Sequence, residues 1–162
     1  GIELVAVPNR EFVLQQALET LRDRYDYIFI DCPPSLGMLT VNAMSASDGV
    51  VIPMQCEYYA MEGLSVITSL VERLKENGAN PNLRIEGILM TMFDGRTRLG
   101  QDVVAEVRNH FGPLVYTTAI PRSVRVSEAP SFGRPVVDYA PSSSAAIAYT
   151  EFSKEFHKRA SK

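Results

Sequence analysis

Long apolar runs are missing from this sequence. No stretch approaches the about 18 consecutive apolar residues that a membrane-spanning helix needs, so no segment reads as one. Cysteine is scarce: Cys32 and Cys56 are the only two, and they lack metal-ligand spacing. That excludes a C-x-x-C metal-cluster scaffold and leaves free thiols in a reducing compartment as the expectation. Positive charge is not in excess. Sixteen Lys and Arg against 19 Asp and Glu give a net charge of −3. Dense, indiscriminate coating of nucleic acid is thereby excluded, although a local basic patch is not. There is no internal repeat. There is also no glycine-rich G-x-x-x-x-G-K-(S/T) run, so no cradle of backbone amides for a polyphosphate. His110 and His157 are far apart without ligand spacing, and Ser35 has no G-x-S-x-G setting.

What is present is an alternation of two periods. With 162 residues and 46% hydrophobic content, the chain suits one domain, residues 1–162, with a real core. Residues 10–23 carry apolar side chains at helical spacing. Tyr27-Ile-Phe-Ile-Asp31 is a continuous apolar run ending in an acid, which predicts a strand buried on both faces. Pro33 and Pro34 must end it. A short helix over 36–46, a strand over 49–53 and a long helix over 58–76 follow, closed by Gly78 to Pro81. A strand over 85–92, a helix over 99–111 with Leu99, Val103, Val107 and Phe111 inward, and a strand over 114–118 continue the pattern. Residues 123–135 read as a loop with a short helix, Val136-Val137 as a final short strand, and 142–159 as a helix capped by the serines at 142–144. Gly1 to Val7 reads as the end of a strand, so the sequence is expected to begin inside a longer protein.

This order predicts an α/β fold: a mostly parallel sheet with helices on both faces. Ligands of such sheets sit beyond the carboxyl ends of the strands, here just after Ile30, Ile52, Met90 and Ile120. An acid at the tip of a buried strand is costly unless something uses it. Asp31 has two readings on these grounds: a magnesium-side carboxylate acting through water at a nucleotide, or a cap of the following turn. Asp94, beside Gly95, reads as a turn residue.

Tyr25-Asp-Tyr-Ile-Phe-Ile-Asp-Cys-Pro-Pro-Ser-Leu-Gly-Met-Leu-Thr-Val-Asn-Ala resembles the Walker B and switch segment of the ParA/Soj family of chromosome- and plasmid-partitioning ATPases. Three further blocks resemble the same family in the same order. They begin at Asp48-Gly-Val-Val-Ile-Pro, at Met90-Thr-Met-Phe-Asp-Gly-Arg-Thr and at Ile120-Pro-Arg-Ser-Val-Arg. The resemblance covers about residues 3–157 and implies a deviant P-loop NTPase fold truncated at the N-terminus. It also implies roles for single residues. Asp31 matches the Walker B acid that holds Mg2+ through water. Pro33, Pro34 and Gly37 match the switch that senses the γ-phosphate. Pro121 and Arg122 match the wall around the adenine, with Met90 and Thr91 lining the same pocket. Arg96 and Arg125 match positions that bind DNA backbone non-specifically, and Arg98, Arg108 and Arg134 lie close to them in sequence.

The cofactors so implied are ATP and Mg2+. The implied partners are non-specific DNA, a second copy in an ATP-dependent homodimer, and a ParB-type centromere-binding protein that stimulates hydrolysis. The implied location is the cytoplasm, at the nucleoid, with no membrane partner. The family's phosphate-binding lysines lie upstream of Gly1, so the chain alone is not expected to hydrolyse ATP. Two alternatives carry different expectations. One is a non-enzymatic DNA- or partner-binding module lacking the P-loop. The other is a MinD-like positioning ATPase, against which the thin apolar side of the last helix argues.

Overall fold

The computed structural model describes residues 8–160, apart from residues 34 and 58. The expected strand end at 1–7 and the residues Pro34 and Tyr58 lie outside the described residues. The chain divides into two compact units, 1–50 with 67–84, and 51–66 with 85–162.

In the first unit, a 3-10 turn at Arg10–Phe12 runs into α1 (Val13–Leu18) and a second 3-10 stretch at Glu19–Arg24. Helix α2 (Met38–Ala46) buries Ala43, Met44 and Ala46. Its carboxyl end is closed by side chains. Asn80 Nδ2 donates to the Met44 and Ser47 carbonyls at 2.8 and 2.7 Å, and Arg22 Nη2 donates to Ala46 at 3.3 Å. These bonds satisfy carbonyls that a helix end leaves without partners.

The expected strand at Tyr27–Asp31 is not formed. The segment is irregular, and Phe29 is 75% exposed. A strand exists only through the ladder it shares with a neighbour, and no described strand pairs with it. Apolar continuity predicts a strand buried on both faces here, but it carries no information about a pairing neighbour, and the segment is largely exposed.

The three described strands are β1 (Gly49–Gln55), β2 (Arg84–Phe93) and β3 (Val115–Pro121), in the spatial order β1-β2-β3. They form a parallel sheet, most of which lies in the second unit. Parallel pairing requires long crossovers. Helices α3 (Ala60–Glu76) and α4 (Arg98–Phe111) supply them. Val103, Val104 and Val107 of α4 are buried, but Leu99 is 51% exposed, so the inward stripe begins one turn later than its spacing predicts.

After β3 come α5 (Val124–Glu128), a 3-10 turn at Ala129–Phe132, α6 (Val136–Tyr139) and α7 (Ser144–Ala160). The expected strand at Val136-Val137 is therefore a helical turn. Pro135 at its N-cap fixes φ near the value a helix start needs. The serine cap is present: Ser143 Oγ accepts from the Ala146 amide at 3.2 Å. No helix among the described residues is long and apolar enough to cross a membrane.

Helix α7 packs on β3 around Tyr116, which is fully buried beside Leu89 and Ile120 and meets Phe152 edge-to-face at 4.9 Å. Glu155 reaches the outer strand, accepting from the Thr117 and Thr118 amides at 2.8 and 3.0 Å. Arg159 donates to Glu155 at 2.8 Å and to the Val115 carbonyl at 3.1 Å, with its guanidinium 4.1 Å above the Tyr116 ring.

Candidate functional site at the carboxyl edge of the sheet

Parallel strands bring their carboxyl ends to one edge, and in the second unit that edge gathers four of the expected residues. The register of β2 and β3 pairs Ile88 with Val115, Met90 with Ala119 and Phe93 with Pro121, with a bulge-like register shift in each of the two intervals. Met92, inside the second bulge, has φ 54°, a left-handed conformation that side chains other than glycine rarely adopt. The Arg122 amide donates to the Phe93 carbonyl at 3.0 Å, which ties the exits of the two strands together. Met90 is fully buried and belongs to the floor of the edge. Thr91 is half-buried; its hydroxyl donates to the Met54 carbonyl at 3.1 Å, and its own carbonyl accepts from the Cys56 amide at 3.2 Å. Pro121 is half-buried and Arg122 is exposed.

The turn after β2 is built around Asp94. Its carbonyl accepts from the Thr97 amide at 3.1 Å and the Thr97 hydroxyl at 2.9 Å, and Thr97 Oγ1 then caps α4 through the Gly100 amide at 3.2 Å. Gly100 is needed here for space. A Cβ at this position would lie 2.9 Å from both the Asp94 carbonyl oxygen and Thr97 Oγ1.

The Asp94 carboxylate is gripped by Arg96 on both oxygens, Nε to Oδ1 at 2.9 Å and Nη2 to Oδ2 at 2.8 Å, with the Arg96 amide also on Oδ1 at 3.1 Å. These bonds from Arg96 hold the Asp94 carboxyl far below the ordinary carboxylate range, at about 2, with Arg122 adding attraction. A depressed value means the stabilisation is present above the ordinary carboxylate pKa and is lost as pH falls toward 2. In a carboxyl-carbon NMR titration Asp94 is expected to stay ionised until about pH 2. Arg96→Ala should return it toward the ordinary range; an unchanged midpoint would refute Arg96 as the cause.

Arg125 also meets a nearby acid, through one bond. Its Nη1 donates to Glu128 Oε2 at 2.8 Å, and that oxygen also accepts from the Tyr139 hydroxyl at 3.4 Å. Arg98 lies 3.7 Å from Asp102. Arg108 donates to the Thr117 carbonyl at 2.9 Å, a fold contact rather than a free charge. The sequence reading missed Glu128, although the i, i+3 spacing from Arg125 on a short helix was a usable signal.

Asp31, Pro33 and Gly37 lie in the first unit, in the irregular segment before α2. Asp31 is an exposed carboxylate, and its charge helps burial to raise the thiol pKa of neighbouring Cys32. No group of three or more His, Cys, Asp or Glu among the described residues is arranged to hold a metal. One exposed carboxylate suits magnesium that arrives with phosphates and keeps its waters, not a metal caged by protein.

Known proteins resemble the chain in sequence and in fold. A family model described as an AAA domain matches residues 1–85. The chain is 55% identical over 154 residues to the sporulation initiation inhibitor protein Soj of Bacillus subtilis, covering 95% of this chain and 60% of that protein. It is 51% identical over 158 residues to the chromosome partitioning protein ParA of Myxococcus xanthus, covering 98% of this chain and 56% of that protein. It thus spans less than two thirds of the length of these relatives. Among solved structures, the cobyrinic acid a,c-diamide synthase of Mycobacterium smegmatis with bound ADP and magnesium superposes with a TM-score of 0.75 at 33% identity, over 94% of this chain and 55% of that one. The cell division ATPase MinD of Pyrococcus furiosus shares the fold, with a TM-score of 0.71 at 23% identity, over 91% of this chain and 58% of that one. With an AAA-domain match over more than half its length and half its residues shared with these relatives, the chain belongs to the ParA/Soj family.

Proposed function

We propose that this chain is the magnesium-side and DNA-facing part of a partitioning ATPase. In this reading the longer protein binds ATP with Mg2+, dimerises around it, holds DNA without sequence preference, and is discharged by a ParB-type partner. The observation that carries it is the joined exit of β2 and β3, which places the Asp94–Arg96 turn and the Pro121–Arg125 segment beyond adjacent strand ends. The relatives named for chromosome partitioning support the same assignment.

Each residue has a task in this reading. Asp31 would hold magnesium through water when the nucleotide is bound, and Pro33, Pro34 and Gly37 belong to the switch that would respond to the γ-phosphate. Thr91, Pro121 and Arg122 border the base, over the floor formed by Met90. Bound magnesium nucleotide supplies the charged phosphate on which hydrolysis occurs; the residues of this chain position and screen it. Arg96 and Arg125 neutralise DNA phosphates, an interaction that salt must weaken.

The test is duplex binding across a salt series, together with ATP turnover of the longer protein. Arg96→Ala and Arg125→Ala should each weaken binding and reduce the slope of log K against log salt by about 1. Asp31→Ala should abolish turnover while leaving the fold intact by circular dichroism. A slope unaffected by both arginine variants would remove the DNA assignment, and full turnover in Asp31→Ala would remove the magnesium assignment.

A further inference from the structure

Resting on the DNA reading above, we infer that Asp94 and Glu128 are built-in phosphate mimics. Each holds, by a charge-assisted bond, the arginine that would otherwise grip a DNA phosphate, and so sets how weakly and reversibly the chain binds DNA.

The geometry of Arg96 makes the case. A guanidinium recognises carboxylate and phosphate through the same planar fork, two parallel N–H groups meeting two oxygens. The Nε–Nη2 edge of Arg96 already meets both oxygens of Asp94, at 2.9 and 2.8 Å. That edge is closed to a phosphate until the carboxylate is displaced. The Arg96 side chain is nevertheless 90% exposed, so the pair sits where a duplex has access to it.

Arg125 is held by one bond rather than a fork, to Glu128 of its own helix at 2.8 Å, and the Tyr139 hydroxyl steadies that partner at 3.4 Å. Both acids lie within three residues of their arginine. The pairing therefore costs little chain entropy and re-forms as soon as a phosphate leaves. Arg122 and Arg134 differ: among the described residues neither has a carboxylate within 4.0 Å. The two arginines assigned to DNA are thus held by local acids, while two of their neighbours are not.

Neutralising either acid while keeping its shape should tighten binding. Asp94→Asn keeps Oδ1 as an acceptor for the Arg96 amide, and Glu128→Gln keeps an oxygen for Tyr139, so the turns survive. Exposed pairs of this kind are weak, because solvent screens them. Each variant should therefore bind a labelled duplex about fivefold more tightly at fixed salt, and the double variant about 25-fold.

Two controls separate this from a general change in charge. Glu106→Gln removes the same charge from exposed α4, and it should have a smaller effect. With Arg96 already alanine, Asp94→Asn should gain no more than Glu106→Gln does. Equal tightening by Glu106→Gln, or an undiminished gain without Arg96, overturns the inference while DNA binding stands. No tightening in any variant of a protein that binds duplex also overturns it. If neither the wild-type protein nor any variant binds duplex, the DNA reading fails and takes the inference with it. Binding by the variants alone supports both.

Discussion

Replacing Gly87 with alanine is expected to cost about 3 kcal/mol, at the upper end for overpacking by a single methyl group. A Cβ on residue 87 would run into Cε2 of Tyr116 and lie 2.8 Å from Cζ and 3.0 Å from Cδ2. The ring has no direction in which to retreat. It is fully buried against Leu89 and Ile120, Phe152 meets its edge at 4.9 Å, and the Arg159 guanidinium covers a face at 4.1 Å. For a chain of this size the loss corresponds to a fall in Tm of about 6–12 °C.

The companion experiment is a double-mutant cycle. Tyr116→Val alone should be destabilising through the cavity it leaves, but in the Gly87→Ala background the added methyl group fills part of that space. The two changes should therefore couple favourably by about 2 kcal/mol. Tyr116→Phe should not relieve the clash, because the ring remains. On its own it should be neutral or slightly stabilising, since the buried Tyr116 hydroxyl has no hydrogen-bond partner among the described residues. Additive denaturation midpoints for Gly87→Ala and Tyr116→Val would show that the contact is not the source of the loss.

Glu155→Ala is expected to be of similar size, about 3 kcal/mol, by a different route. It removes the acceptor for two strand amides and the partner of Arg159 at once, leaving donors that are partly shielded from water. Glu155→Gln separates charge from shape, because it keeps one acceptor oxygen. Burial alone would raise the Glu155 pKa; the Thr117 and Thr118 amides, the Thr118 hydroxyl and Arg159 outweigh it and hold the carboxyl below its ordinary value. With the folded value depressed, its stabilisation is complete above the ordinary glutamate pKa and disappears as pH falls through the lower, folded one. Thermal melts of the wild-type protein and Glu155→Gln should therefore differ at neutral pH, and the gap should close progressively as pH falls below the ordinary glutamate value. A constant gap across that range would exclude the carboxylate's charge as the cause.

These two sites also show which parts of the molecule were legible in the sequence. The helices at 60–76, 98–111 and 144–160 and the strands at 49–55, 84–93 and 115–121 follow from hydrophobic period and turn residues, to within a few residues at each end. Tyr27–Ile30 has the same apolar continuity as β1, yet it forms no ladder; pairing depends on a neighbour, which period does not encode. Val136-Val137 is too short for period to separate strand from helix, and Pro135 settled it. At the site, the ordered blocks marked Arg96 and Arg125 as residues of interest. Asp94 reads as a turn residue, which it is, but not as the partner of Arg96, and Glu128 goes unread, because a pair two or three residues apart looks like ordinary surface charge until the distances are known. Gly87 and Tyr116, 29 positions apart in the sequence, meet only across the β2–β3 pairing, and no local pattern announces them.

The Glu155 contact has a consequence for the chain as a material in solution. An outermost strand with free amides is an open template on which a second chain can add a strand, and sheets extended in this way grow into aggregates. β3 ends the described sheet, and its amides at 117 and 118 are already committed to a carboxylate of the same chain. An incoming strand would have to displace a charged acceptor in order to pair there. The last helix thus protects concentrated protein from stacking through this edge, and a chain cut before residue 155 would lose that protection along with its stability.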